Sequence, residues 1–297
     1  MTRRQTVMRR AVSALAAVAL VTGVAAGAAA QEEKGPNTGR LSLSAGMDWT
    51  THYFFRGILQ EDQDLILQPY AEIGFTLMEG TPAFGDVALA VGLWNSLHGG
   101  PTGTGGANSD PRIWYEADFY TKLGWTFLDN FKAGVIYTAY MSPNSAFDTV
   151  EELAFSLGFD DSKLLGPFSV QPTVLLAWEV AGQADGGLHR GIYLQVGLAP
   201  SYTVAEKSRY PVTLSLPLLV GLSLDDYYEF GTGDDDTFGY FQGGLSASVP
   251  LAFVPAAYGS WSLRGAVTVL VLGDNLKTVN NDDSTEVIGT LGVSFTY

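Results

Sequence analysis

Residues 41–50 read Leu41-Ser42-Leu43-Ser44-Ala45-Gly46-Met47-Asp48-Trp49-Thr50. The odd positions are apolar and the even positions are polar or small. In an extended chain successive side chains point to opposite faces, so this stretch has one apolar face and one wetter face. Continued with the same period, Tyr53 and Phe55 join the apolar side and His52 the polar side.

The same texture recurs along the chain. Ala71, Ile73, Phe75 and Leu77 alternate with Tyr70, Glu72, Gly74 and Thr76, and Val87, Leu89, Val91 and Leu93 follow. Then Ile113, Tyr115, Ala117, Phe119, Leu123 and Trp125 face away from Glu116, Asp118, Lys122 and Gly124. Further strands are expected at 131–141, 150–159, 168–180, 191–204, 210–224, 237–249, 259–272 and 285–297. That makes about twelve, an even number, and strands of ten or more residues suit a tilted membrane span better than a soluble sheet. The loops after strands 1, 3, 7, 9 and 11 begin at Arg56, His98, Ala181, Asp225 and Gly273 and are long, whereas turns at the other end are mostly short, as at Leu128-Asp129-Asn130. Long loops on one side and short turns on the other match the outer-membrane arrangement. Phe75, Trp125, Phe127, Phe131, Phe159, Phe168, Tyr202, Phe295 and Tyr297 fall at the short-turn end, where an interfacial aromatic girdle belongs. Trp49, Tyr53, Phe55 and Trp178 lie nearer the other end. The fold expected is an all-β, transmembrane, antiparallel up-and-down barrel of about twelve strands.

What precedes the strands is a targeting segment by composition. Arg3, Arg4, Arg9 and Arg10 form a basic head, Ala11 to Ala25 an apolar run, and Ala28-Ala29-Ala30 a small-residue cleavage site. The organisation expected is a signal peptide over 1–30, a polar leader over 31–39 and the barrel over 40–297, exported to the bacterial outer membrane. The Thr2-Arg3-Arg4 start suits a twin-arginine signal too, but nothing points to a cofactor loaded before export, so the ordinary route is expected.

Removing those four of the 16 basic residues leaves 12 against 31 acidic ones, a net of −19. Such an excess argues against nucleic acid as a partner, because phosphate recognition needs basic side chains. The absence of cysteine excludes a disulfide framework and thiolate metal sites. The last strand ends Val287, Gly289, Leu291, Val293, Phe295, Tyr297. It resembles the terminal strand that outer-membrane assembly machinery reads, with Phe295 and Tyr297 as the signal.

On the faces assigned to the lumen lie Asp48, His52, Glu72, Asp86, Glu116, Asp118, Lys122, Glu152, Glu179, Arg264 and Glu286, with Arg56 expected at the outer mouth. Ionised carboxylates around water favour cations; paired with Lys122 and Arg264, the same groups would instead plug a narrow barrel. Both alternatives stand on sequence alone, since twelve strands fall between filled and open barrels. His98 and His189 sit in glycine-rich loops and are expected to be solvated, and His52 has no partnering serine, so no enzyme is expected. Gly103-Thr104-Gly105-Gly106 is followed by neither a helix nor a lysine and fails as a phosphate loop. The runs Asp225-Asp226, Asp234-Asp235-Asp236 and Asp282-Asp283 lack the spacing of a calcium loop and are expected to be solvated, without a metal.

Tyr53-Phe54-Phe55-Arg56-Gly57-Ile58-Leu59-Gln60, followed by Gln68-Pro69, resembles the start of the TorF-type porin family. There an aromatic strand end runs into Phe-Arg-Gly and a polar loop; here Leu59 replaces a small polar residue. The resemblance covers some 20 residues and implies an outer-membrane barrel of pore type. Its motif residues are Tyr53, Phe55, Arg56 and Gly57, and it brings no catalytic or ligand residue with it. The expected activity is passive diffusion of small hydrophilic solutes with a cation preference. The alternative is a non-conducting structural or adhesive barrel acting through its loops. Expected partners are outer-membrane lipid, lipopolysaccharide, the barrel assembly machinery and small solutes, with no cofactor.

Overall fold

The computed structural model describes residues 39–81, 83–100, 113–230 and 234–297. The expected signal peptide and nearly all of the polar leader lie outside the described residues. The strands are β1 Leu41–Thr50, β2 Tyr53–Phe55, β3 Ile58–Glu61, β4 Ile66–Met78, β5 Val87–His98, β6 Trp114–Phe127, β7 Phe131–Met141 and β8 Val150–Phe159. They continue as β9 Thr173–Ala181, β10 Ile192–Leu198, β11 Ser201–Val204, β12 Val212–Ser215, β13 Leu218–Asp225, β14 Phe238–Pro250, β15 Ser260–Leu272 and β16 Thr285–Thr296.

All but β2 and β3 join one antiparallel sheet, which closes where β1 pairs with β16 and β14 with β15. Closure pairs every strand of the sheet on both sides except the short β11, which pairs with β12 alone, so the backbone is satisfied almost wholly within the sheet, as lipid demands. At the seam, Leu43 and Tyr297 exchange two backbone hydrogen bonds of 2.8 Å. Two spans are broken in the middle: β10 passes into β11 at Ala199-Pro200, and β12 into β13 at Leu216-Pro217. Proline lacks the N–H a ladder needs. The breaks face each other, and Leu216 N–H bridges them by donating to Pro200 O at 2.9 Å. Counting each broken pair as one span gives twelve.

Period-two reading holds along the wall. Met47, Leu93, Leu123, Phe155, Val196, Leu245, Val267 and Leu291 are each more than a third exposed on the outside. An apolar belt contributed by strands all round the barrel is far larger than a soluble monomer leaves in water, and lipid is its solvent. No helix among the described residues is long and apolar enough to cross a membrane; the strands do so. At the short-turn end Phe84, Trp125, Phe127, Phe131 and Phe159 form a chain of ring contacts with centroids 4.8–5.2 Å apart. A further segment differs from expectation: 168–172 is not strand, because Gly166–Phe168 forms a 3-10 turn after the short helix Ser162–Leu165. Asp161 holds this connection together. It accepts hydrogen bonds from the backbone N–H groups of Val170 (3.0 Å) and Gln171 (3.1 Å) and from the Ser169 hydroxyl.

Candidate functional site: a hairpin seated in the lumen

The first strand is shorter than its alternation suggests. β1 ends at Thr50, whose Oγ1 donates to His52 O at 2.9 Å while Thr51 N–H donates to Gly289 O. This bend turns the chain inward. Tyr53 and Phe55, expected on the lipid side, are instead 4% and 7% exposed inside the barrel. They form the hairpin β2–β3, with Phe55 opposite Ile58. Its two-residue turn, Arg56-Gly57, has φ of 47° and 88°, the positive pair that a tight hairpin turn requires. A Cβ on Gly57 would also strike Leu276. The Phe-Arg-Gly motif is therefore the tip of an inserted loop.

Arg56, expected at the outer mouth, sits within the barrel. Its guanidinium forks onto Glu152 of β8, with Nη1–Oε1 at 2.6 Å and Nη2–Oε2 at 2.7 Å, and neither side chain is more than 3% exposed. Nη1 also donates to Tyr227 Oη at 2.5 Å, and the guanidinium carbon lies 4.1 Å from the Tyr193 ring centroid. Tyr140 Oη donates to Glu152 at 3.0 Å. Planar delocalised charge suits both the carboxylate fork and the aromatic faces. The hairpin backbone is fixed as well. Tyr228 Oη donates to Arg56 O at 3.0 Å, Asn280 Nδ2 to Gly57 O at 2.7 Å, and Leu59 N–H to Asn280 Oδ1 at 2.9 Å. Tyr227, Tyr228 and Asn280 come from the loops after β13 and β15, so three outer loops meet inside the lumen.

The remaining inward groups form rungs along the wall. Arg264 on β15 reaches Asp48 on β1 (2.6 Å and 3.0 Å) across Gly292 of the intervening β16, and donates to Tyr70 Oη at 3.0 Å. Glu72 on β4 and Tyr120 on β6 flank Gly92 of β5 in the same way, and Lys122 Nζ lies 2.6 Å from Glu72. Glycine in the middle strand lets the pairs lie flat; a Cβ on Gly292 or Gly92 would collide with them. Tyr53 Oη donates to Glu116 at 2.8 Å, beside Asp118, whose Oδ1 has no partner among the described residues. Glu179 is occupied with its own loop, accepting from Ala184 and Gly191 N–H at 2.6 and 2.7 Å. Asp86 departs from expectation: it sits at the short-turn rim, accepting from Gly80 N–H at 2.9 Å. His52 and Glu286 lie at the outer end, His52 Nδ1 being 3.1 Å from Val287 O.

His98 is not solvated. It ends β5 fully buried, with Nε2 2.7 Å from Ser96 Oγ and its ring stacked on Tyr115. A Ser–His contact invites comparison with a nucleophile pair, yet among the described residues His98 Nδ1 has no orienting partner, and both residues are 1% exposed or less, so these residues offer neither a third member nor access for a substrate. His189 does stand at the surface, but beside Asp226 and the buried Glu229. Its hydrogen bond to Glu229 and that group's charge raise its pKa above the ordinary histidine value.

The site and fold define a twelve-stranded transmembrane antiparallel barrel whose lumen holds a hairpin from its first outer loop. No protein-family model matches the chain, and no curated protein matches it. Among solved structures it is similar to the NanC porin, at 11% identity over 86% of this chain and 98% of that one, with a TM-score of 0.40. It is also similar to the translocator domain of the autotransporter NalP from Neisseria meningitidis, at 14% identity over 88% and 89% of the two chains, TM-score 0.38. The transport unit of the autotransporter AIDA-I from Escherichia coli gives 11% identity over 99% and 97%, TM-score 0.37. Likenesses this distant carry no function across.

Proposed function

We propose that the chain is a porin-like channel of the bacterial outer membrane, for passive diffusion of small hydrophilic solutes, closed in this conformation by the β2–β3 hairpin. The observation that carries the reading is where the filling comes from. The wall's Asp48–Arg264 pair and Glu72 lie flat over glycines, while loop residues 53–61, 227–228 and 280 occupy the interior, where Glu116 and Glu152 meet the hairpin. A barrel with a polar wall and a loop in its middle is the plugged-channel design. A purely structural barrel could fill its lumen from the wall and would need no displaceable segment.

Cation preference belongs to the same reading. Among the described residues Asp48, Glu72 and Glu152 each have a basic partner, whereas Glu116, Asp118 and Glu179 have none within ion-pair distance. Withdrawing the hairpin takes Arg56 away and leaves Glu152 bare, so the open form is the more acidic one. In this reading lipid and lipopolysaccharide surround the apolar band, the assembly machinery reads Phe295 and Tyr297, and no catalytic role is assigned. The non-conducting alternative draws on the strength of the Arg56–Glu152 latch. Planar-bilayer recording separates them: replacing 53–61 by a short polar turn should turn rare, small openings into a steady cation-preferring current. A folded hairpin-less barrel that passes no current would discard the channel.

A further inference from the structure

Two outer loops bring an imidazole and two carboxylates to one point. His189, after β9, has Nδ1 3.2 Å from Glu229 Oε2 and 3.8 Å from Asp226 Oδ2, and one donor atom from each of the three falls within 4.8 Å of the others. Nitrogen and oxygen ligands held at about 2.0–2.2 Å around a single ion stand roughly 3–3.5 Å from their neighbours, so small side-chain adjustments would complete the set.

The arrangement is built from behind. Glu229 is wholly enclosed, and its Oε1 accepts the N–H groups of Leu188 and His189, the latter at 2.5 Å. Asp185 Oδ2 in turn accepts the N–H groups of Glu229 and Phe230, at 2.9 and 3.0 Å. Oε2 is left directed at His189 and Asp226, whose side chains are 65% and 36% exposed. A buried carboxylate steadied by backbone donors, with two more accessible ligands in front, is the supported ligand geometry that metal sites use.

We propose that His189, Asp226 and Glu229 bind one divalent transition-metal ion of the zinc class on the outer face. The imidazole selects against calcium and magnesium, which take oxygen ligands. No local motif marks the site, since its residues lie up to 40 positions apart in the chain. The site also touches the plug: Asp226 and Glu229 flank Tyr227 and Tyr228, which hold Arg56 and its carbonyl. An ion would therefore steady the clamp on the hairpin, and this second step rests on the channel reading, while the ion binding does not.

The test is calorimetric titration of chelator-stripped, full-length protein in detergent with zinc chloride, with calcium chloride as control. One zinc per chain is expected, weakened roughly tenfold or more in His189→Ala and in Asp226→Asn, with calcium failing to compete. Both variants keep the Glu229 and Asp185 staples, and retained resistance of the barrel to unfolding in detergent confirms their fold. No zinc uptake, or equal uptake by wild type and both variants, overturns the site, leaving a simple histidine–carboxylate ion pair. Bound zinc should also slow amide exchange at Tyr227 and Tyr228; zinc bound without that slowing overturns the steadying of the clamp. Variant-sensitive zinc binding to a barrel that is electrically silent in every form upholds the site and removes the channel.

Discussion

Arg56→Ala removes one partner from a buried, forked ion pair and leaves Glu152, among the described residues, with only the hydroxyls of Tyr140 and Tyr227, at 3.0 and 3.3 Å. Breaking a buried pair from one side costs about 3–5 kcal/mol, because the surviving charge stays desolvated. The cost falls on the seated form alone, since withdrawal of the hairpin lets water reach Glu152. Loss of the contact with the Tyr193 ring adds about 0.5–2 kcal/mol. Together these come to about 3.5–7 kcal/mol, so at about 1.4 kcal/mol per decade the ratio of withdrawn to seated hairpin should rise by roughly three-hundredfold to a hundred-thousandfold. The barrel's strand pairing does not depend on Arg56, so thermal unfolding of the wall should barely move. Single-channel recording would show longer openings, and hydrogen exchange would show lost protection over 53–61. The double variant Arg56→Met/Glu152→Leu, with apolar groups in place of both charges, should seat the hairpin again. Currents and exchange identical to wild type in Arg56→Ala would refute the latch, as would a double variant as open as the single one.

Other outcomes follow from the same geometry. Gly57→Ala puts a Cβ at φ 88°, which costs about 1–2 kcal/mol, and drives it into Leu276, so faster hairpin exchange and larger currents are expected without a change in barrel unfolding. Gly292→Ala displaces the Asp48–Arg264 pair from the wall toward the axis, and in the hairpin-less background conductance should fall; unchanged conductance would mean that the pair does not border the path. Burial works to raise the Asp161 pKa, but hydrogen bonds from Ser169, Val170 and Gln171 outweigh it and hold the carboxyl below its ordinary value. The stability it lends the 160–172 connection is therefore full above the usual Asp range and is lost as pH falls through the depressed value, which proteolysis at that connection should report as acid-specific nicking. Removing Phe295 to Tyr297 deletes the Leu43–Tyr297 bonds at the seam, and slower, lower-yield assembly in lipid vesicles is expected.

The wall was legible because its signal is local. Alternation at Leu41–Thr50 or Ala71–Leu77 is fixed by the pleat, and a register that exposes one apolar face cannot slip by a single residue. The proline breaks at 200 and 217 and the 3-10 turn at 166–168 were less visible, because the apolar texture runs on through them. The plug escapes the alternation rule for a particular reason. Tyr53 and Phe55 keep the period of β1, so they pass for lipid-facing residues, and only the bend at Thr50–His52 sends them inside. A signal for the turn was nevertheless present, since Arg56-Gly57 between aromatic and aliphatic pairs has the pattern of a two-residue hairpin. The pairings of Arg56 with Glu152 and of Arg264 with Asp48 span 96 and 216 positions, and no spacing rule predicts them. The acidic loop runs proved partly structural: Asp235 accepts from Ser223 Oγ and Tyr228 N–H, at 2.7 and 3.0 Å.

The chain has no cysteine, so a single engineered bridge can test the seated hairpin directly. Leu59 and Asn280 touch, through the 2.9 Å bond from Leu59 N–H to Asn280 Oδ1, and Leu59→Cys/Asn280→Cys places two thiols where the plug meets the loop after β15, just past its short helix Asp274–Val279. Recording single-channel current from this variant before and after reduction decides the matter. Spontaneous oxidation with a silent barrel, followed by openings when the bridge is reduced, is the predicted result. A folded barrel in which the bridge never forms, or one that conducts equally with the bridge closed and open, would contradict a hairpin lodged in the lumen as the gate.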